Sequence, residues 1–410
     1  METIKSDILI SGAGIPGLAL AILLGRFGLN ISMVDPFPPL PLKKTKPDGR
    51  TSALMSESLQ ILEHTGALPR CEDYTAPLET MRIIDRTRAT RKKNLLEVNF
   101  HADEINKPYF GKNYPNAILR AALFDEMKTV RNIRFIKKAA IADYHTTGTH
   151  AIVTLDNGKT IKTKLLVGAD GRSSKTRELA GIEYIVKDYG QKAITCLINH
   201  SKSHKNISTE FHTPSGPFTI VPMPGNQSSI VWVDFNDKAD AFMAMNKTAF
   251  EQALEDRSGG IVGSVSLAST PSAWPLKSAT TKSLISDNIA LIAESAHILH
   301  PLGAQGLNLS LRDVAALAEV IADAARSGMD IASKQTLTTY ENRRKNDIIL
   351  RSIAVDGLHS LMISQSSLTH RIKQSGLQAI DRLPSLKNMI MHKGLTGAQD
   401  NGRLSSGHAL

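Results

Sequence analysis

Cysteine and tryptophan are nearly absent from this chain, with two of each in 410 residues. Cys71 and Cys196 can form one bridge at most, which excludes a disulfide framework and favours a reducing compartment. No Cys/His group has the spacing of a zinc site. His297 and His300 stand three apart, but no third ligand follows at suitable spacing, so no metal is expected. No stretch reaches the roughly 20 apolar residues of a membrane span. The apolar run 8–24 does not read as a secretory leader, because Asp7 precedes it, glycines interrupt it and no small-residue cleavage site follows. A cytoplasmic protein is expected. Aromatic residues make up 5% of the chain, few for base stacking, and no recognition module is visible. Nucleic acid is therefore not an expected partner, although the net charge is +10. That charge fits dispersed surface lysines as well as it fits an anionic ligand or membrane surface.

The chain is long enough for one large core or two domains. Residues 7–11 read as a strand, 14–28 as a helix and 31–34 as the next strand, a βαβ opening. Gly12, Gly14 and Gly17 fall between the first strand and the helix. In that context the first permits a tight turn, the second lets backbone approach a pyrophosphate and the third allows close helix–strand packing. The helix start offers free N–H groups to phosphate. Asp35 ends the second strand, where a carboxylate can accept a bond from ribose. Prolines make 36–49 a loop. Residues 52–65 read as a helix capped by Gly66, and Arg50 stands where it could clamp phosphate.

Strands are expected at 81–84 and 95–100, flanking a basic loop (Arg86, Arg88, Arg91, Lys92, Lys93). A helix is expected at 117–130. Strands follow at 133–138, 151–155 and 160–167, with Asn157-Gly158 as a tight turn. The pattern from 184 to 235 is mostly strands, and 247–257 is helical. The chain is largely helical from Arg312, and 397–410 reads as disordered. The expected architecture is α/β: a Rossmann-like dinucleotide-binding unit (1–76, 111–183 and 276–330) into which a mixed or antiparallel β-sheet substrate unit is inserted (77–110 and 184–275). C-terminal helices occupy 331–396.

Three separated motifs carry a resemblance. They are Gly12-Ala-Gly14-Ile-Pro-Gly17 with Asp35, Gly168-Ala-Asp170-Gly171 with Ser174 and Arg177, and Glu294-Ser-Ala-His297 followed by His300-Pro301-Leu-Gly303-Ala-Gln305-Gly306-Leu307-Asn308 and Asp313. With them the chain resembles the flavoprotein aromatic hydroxylases, the group that contains para-hydroxybenzoate hydroxylase. Tyr114-Pro-Asn116-Ala-Ile-Leu119 and the segment 375–384 are similar to the ubiquinone-biosynthesis branch. Two departures stand out: the family's Gly-Asp is Ala293-Glu294 here, and its Ala-Gly is Gly303-Ala304.

The resemblance implies FAD, with NAD(P)H as a transient electron donor. Gly12, Gly14 and Gly17 would bind its ADP part, Asp35 the ribose, Arg50 the phosphates, and Glu294 the ribityl or pyrophosphate region. Asn116 would touch the cofactor, Asp170 would serve both FAD and the reduced nicotinamide, and Gly306, Leu307 and Asn308 would meet the flavin ring. His300 and Pro301 would face flavin and substrate, while His297 reads as a packed histidine behind them. No protein nucleophile is expected. The implied reaction is hydroxylation of a phenolic ring by O2 through a flavin C4a-hydroperoxide, on a substrate with a polyprenyl tail. Residues 218–223 and 230–233 would wall an apolar pocket. A reductase or dehydrogenase of the same fold, and a non-catalytic scaffold of a quinone-synthesis complex, remain the alternatives. Peripheral contact with the inner membrane through basic, apolar C-terminal helices, packing of those helices on their own domain, and a homo-oligomer stay open.

Overall fold

The computed structural model of the chain describes residues 3–87, 96–364, 366–395 and 402–410. Its helices are α1 (Ile15–Arg26), α2 (Ser56–Glu63), α3 (Asn116–Met127), α4 (Lys175–Leu179), α5 (Asn236–Met243), α6 (Lys247–Ser258), α7 (Gln305–Arg326), α8 (Lys334–Ile363), α9 (Ser367–Arg382) and α10 (Pro384–Leu395). With three sheets they give the mixed α/β architecture expected from the sequence.

The first sheet is centred on strand Ile4–Ser11, which pairs in parallel with Thr160–Gly168 on one side and Ile31–Asp35 on the other. Ile289–Leu291 and Ile133–Lys137 extend the parallel set outward. Ile8, Leu9 and Ile10 are wholly buried, as in a sheet covered on both faces. Between Gly17 and Gly25 every residue of α1 is buried, so this helix is apolar all round rather than striped.

The second sheet runs from His297–Ile298 through Ser272–Thr281, Tyr184–His200, Gln227–Phe235, Gly216–Met223, Ile207–Thr213 and Thr80–Asp85 to Leu96–His101. Chain from both sides of the first unit thus meets in one sheet, joined where Ile207–Thr213 pairs in parallel with Thr80–Asp85. One face packs on α5 and α6 around Phe211, Phe218, Trp232 and Phe250. Asn246 caps α6 by accepting from the Ala249 N–H at 2.9 Å, and Gly259 ends it at φ +65°. Because side chains alternate along a strand, Phe218, Ile220, Ile230 and Trp232 all belong to this outer face. The wall toward the first unit is made instead by their neighbours Val221, Val231 and Val233.

Two further expectations change. Residues 52–65 are not one helix: Thr51–Met55 is a strand paired with Gly111–Pro115, and α2 starts only at Ser56. The hydrogen bonds of that small third sheet override local helix preference. The last residues, expected to be disordered, are ordered from 402 onward. Leu404 is fully buried between α2 and α7, its N–H donates to Glu319 Oε1 at 3.0 Å, and Arg403 pairs with Asp323 at 2.7 Å. One apolar anchor suffices to pin a polar tail. Of the basic loop, Arg88, Arg91, Lys92 and Lys93 lie outside the described residues. Cys71 and Cys196 are both buried and free, and burial pushes each thiol up to about 12. Leu404→Ala should cost about 2–4 kcal/mol through the cavity it leaves, which denaturant unfolding would measure.

Candidate active site

A cleft of about 770 Å3 opens along the C-terminal edge of the first sheet. Two helix N-termini meet there, through Ile15 and Pro16 of α1 and Gly306 and Leu307 of α7. Neither helix has a side-chain cap or an acidic residue in its first turn. Their free N–H groups and dipole ends therefore present positive potential to the cleft. α3 adds Asn116, Ala117, Arg120 and Ala121, the i, i+1, i+4, i+5 face of that helix.

The glycines divide by function. Gly12 has φ +106°, and a Cβ there would stand 2.2 Å from the Ala169 carbonyl oxygen. A Cβ on Gly17 would stand 2.1 Å from the oxygen of Gly12. Both are packing requirements of the crossing between the two sheet strands and α1. Gly14 is different: its Cβ would meet only Pro16, at 3.8 Å, and Gly306 faces open space. These two leave room for a ligand against backbone.

Asp35 is buried and already engaged. Its carboxylate accepts from the N–H groups of Ala13 and Phe37, each at 2.6 Å, and Arg120 lies 3.6 Å away. It locks the glycine turn onto the second strand. Arg120, which the sequence reading missed, also donates to the Ala13 and Phe37 carbonyls at 2.7 and 2.8 Å. Arg50 lines the cleft, paired with Asp48 at 2.7 Å and 4.9 Å above the Trp274 ring. Glu294 lines it opposite, in a two-pronged pair with Arg172 at 3.1 and 3.2 Å.

Asp170 is not brought into the cleft, although Ala169 and Gly171 are. Its carboxylate accepts from Ser174, from the Thr176 N–H at 3.0 Å and from the Thr176 hydroxyl at 2.8 Å. It shapes the turn into α4 and acts through its neighbours. Asn308 is likewise spent inside the fold: Oδ1 accepts from Met55 N–H and Ser58, and Nδ2 donates to Ala53 and Ala304. It ties α7 to the small third sheet, and the cleft surface is left to Gly306 and Leu307.

Behind the cleft runs a buried charged chain. Asp313, with no exposed surface, accepts from His297 at 2.6 Å, from the Ala293 N–H at 2.9 Å and from Arg344 at 2.8 Å. Arg344 continues to Asp347 at 2.8 Å, which also meets Arg351 at 2.9 Å, and Arg351 donates to Gln305 at 2.7 Å. Burial pushes the Asp313 carboxyl up, but His297 and Arg344 beside it outweigh that and hold it below the ordinary carboxylate range. Arg344, Asp347 and Arg351 lie at i, i+3 and i+7, one stripe of α8. That spacing was the available sequence signal for them.

Two alanines carry unusual backbone. Ala293 has φ +58° and Ala304 φ +54°. Both stand where the resembled family has glycine. The Asp313 bond to the Ala293 N–H holds the first of these in place.

His300 is buried, with its ring 4.9 Å from Tyr189 and 4.4 Å from His359. Its Nδ1 accepts from the Leu302 N–H, which leaves the proton on Nε2. Burial, helped by His359, lowers its pKa to about 3, so it is neutral. Pro301 follows it and opens the turn into α7.

These residues fit an extended dinucleotide such as FAD. Gly14 and Gly306 leave cradles for close approach, two bare helix ends suit anionic groups, and Asn116 Oδ1 is buried with no partner among the described residues. The comparisons agree. A family model described as FAD binding domain matches residues 5–348. The ubiquinone hydroxylase UbiL of Rhodospirillum rubrum is 30% identical over 390 residues, covering 95% of this chain and 89% of that protein. The 3-demethoxyubiquinol 3-hydroxylase of Escherichia coli is 26% identical and covers 96% of this chain and all of its own length (100%). In fold, the p-nitrophenol 4-monooxygenase PnpA of Pseudomonas putida superposes with a TM-score of 0.78 at 14% identity, covering 98% of this chain and 100% of that one.

Ala293→Gly should raise stability by about 0.5–1 kcal/mol, the left-handed cost of alanine less the entropy of glycine; chemical denaturation would read it. A pH dependence follows from His300. The unfolded imidazole takes a proton below about 6.5 and the folded one only near 3, so this group withdraws stability as pH falls through that window. Wild type should lose about 1 kcal/mol more than His300→Asn between pH 7.5 and 5.5, and equal losses would contradict the buried neutral ring.

Proposed function

The chain belongs to the FAD binding domain family, and from that premise we propose that it is an FAD-dependent monooxygenase that hydroxylates the aromatic ring of a ubiquinone precursor. The observation that carries this reading is the meeting of two bare helix N-termini in one cleft, beside Gly14 and Gly306, which leave backbone open to a ligand. It is supported by full-length similarity to ubiquinone hydroxylases.

Bound FAD supplies the acceptance of hydride and the activation of O2. The protein supplies the rest. The α1 N-terminus and Gly14 would hold the FAD pyrophosphate, with Arg50, Arg120 and Asn116 along the cleft. Asp35 and Asp170 hold the backbone turns that would meet it. The α7 N-terminus, through Gly306 and Leu307, would hold the flavin end, where its positive potential suits negative charge. His300 and Pro301 would border the reacting side. Val221, Val231 and Val233 would contribute an apolar face that excludes water. NAD(P)H donates the electrons transiently, since no second glycine fingerprint exists to hold it.

The substrate of this reading carries a polyprenyl tail and is met at a bilayer surface. No described helix is long and apolar enough to cross a membrane. α8 instead exposes Ile349, Leu350, Ile353, Leu358 and Leu361. Over 348–395 the sequence carries six Lys or Arg against two Asp, of which Arg351, Lys373 and Lys387 are taken up in ion pairs within the fold. Apolar side chains within an excess of cations suit peripheral contact with anionic lipid.

Purified protein should be yellow with FAD, and with NAD(P)H and labelled O2 it should place one labelled oxygen on a polyprenyl phenol. Cells without it should accumulate the ring one hydroxyl short. Oxidation of NAD(P)H coupled to a product with no added oxygen would identify a reductase instead.

A further inference from the structure

An apolar seam lies beneath α9 and α10, separate from the two large cores. Leu377 and Ile380 of α9 and Met391 of α10 form its roof. Val98, Phe100 and Val221 of the second sheet form its floor. Ala304 packs against one edge of it, and two residues later Gly306 lines the cofactor cleft. This packed apolar layer therefore adjoins the cleft through the Ala304–Gly306 turn.

The roof is fastened in a way that can be undone. Among the described residues no backbone hydrogen bond joins α9 or α10 to the sheet. Two ion pairs hold the helices at opposite ends, Lys373 to Asp85 at 3.0 Å and Lys387 to Glu104 at 2.7 Å. The first is buried, with Asp85 Oδ2 lacking any partner. A buried pair returns little beyond its desolvation cost, so it fixes where the roof sits more than how firmly. The remaining contact is apolar, and its methionines, Met391 above and Met55 beside it, accommodate irregular shapes.

We propose that this seam is the binding site for the isoprenoid tail of the substrate, and that α9 and α10 form a cover the tail lifts as it enters. The inference rests on the ring-hydroxylase reading for the position of the head group. An isoprenoid chain has no polar group to satisfy. Each buried carbon returns about 0.8 kcal/mol, so a few units replace the helix–sheet contact they displace. A ring at the flavin then leaves its tail at Ala304, the mouth of the seam. Bare phenols would bind without moving the cover.

The test uses the FAD-loaded full chain and two probes, a bare phenol and a geranylgeranyl phenol with a diazirine on its third isoprene unit. Photolysis should place adducts on Leu377, Ile380, Met391, Val98 or Phe100. Backbone amides of α9 and α10 should exchange hydrogen about tenfold faster with the tailed phenol, a change worth 1.4 kcal/mol, and at an unchanged rate with the bare one. Adducts on the outer stripe of α8, such as Ile353 or Leu361, or unchanged exchange in α9 and α10, overturn the proposal. Perturbation of the flavin spectrum by the bare phenol reports the ring reading separately. If that signal is missing while adducts still fall in the seam, the tail site stands and the head-group reading falls.

Discussion

Asp313 is the residue on which the geometry of the cleft depends. One carboxylate, sealed from water, binds the loop before α7 through Ala293 and His297 and binds α8 through Arg344. Removing one partner of such a group strands the others in a low-dielectric interior, which costs about 3–5 kcal/mol. The loop it holds lines one side of the cleft. Asp347 and Arg351 carry the same connection to Gln305, the first residue of α7. The loop, the start of α7 and the long C-terminal helix are therefore positioned as one body, and the bare N-terminus of α7 is aimed by contacts far from any ligand.

Around that body two sheets do different work. The first is buried on both faces and presents only its C-terminal edge, where backbone N–H groups and glycine turns meet phosphate chemistry. The second has one face sealed by α5 and α6 and the other turned toward the first unit. Its alternation separates two roles: aromatic bulk at Phe218 and Trp232 stiffens the far side, while the slimmer Val221, Val231 and Val233 form an apolar near side. An oxygen-activating site needs both, a rigid wall and little water.

Much of this could be read from the chain. The glycine turn, the strand after it and the Asn157-Gly158 hairpin are local patterns, and local patterns survive folding. The α/β fold follows from them. What escaped reading is non-local. Thr51–Met55 looks helical alone and becomes a strand because Gly111–Pro115 lies beside it. Leu404 looks like part of a tail until α2 and α7 form a slot for it. Among site residues, Gly14, Asn116, Gly306 and Leu307 lie on the cleft, whereas Asp35, Asp170 and Asn308 spend their polar atoms on backbone and neighbours. A motif marks which residues matter to a turn, but it does not separate touching a ligand from holding the turn that touches it. Arg120 escaped for the same reason, since a lone arginine in a helix has meaning only through what surrounds it, whereas Arg344 left a trace in its spacing with Asp347 and Arg351.

The two sealed thiols bear on how this protein ages. A flavin site that activates O2 releases hydrogen peroxide whenever oxygen is reduced without being transferred. Peroxide attacks thiolates, and a thiol pushed up to about 12 supplies almost none at neutral pH. The sulfur within reach is that of methionine, with Met245, Met329 and Met389 all substantially exposed. Wear from misfired turnovers therefore falls on thioether sulfurs, as sulfoxides that reductases can reverse, and leaves the interior of both units chemically intact.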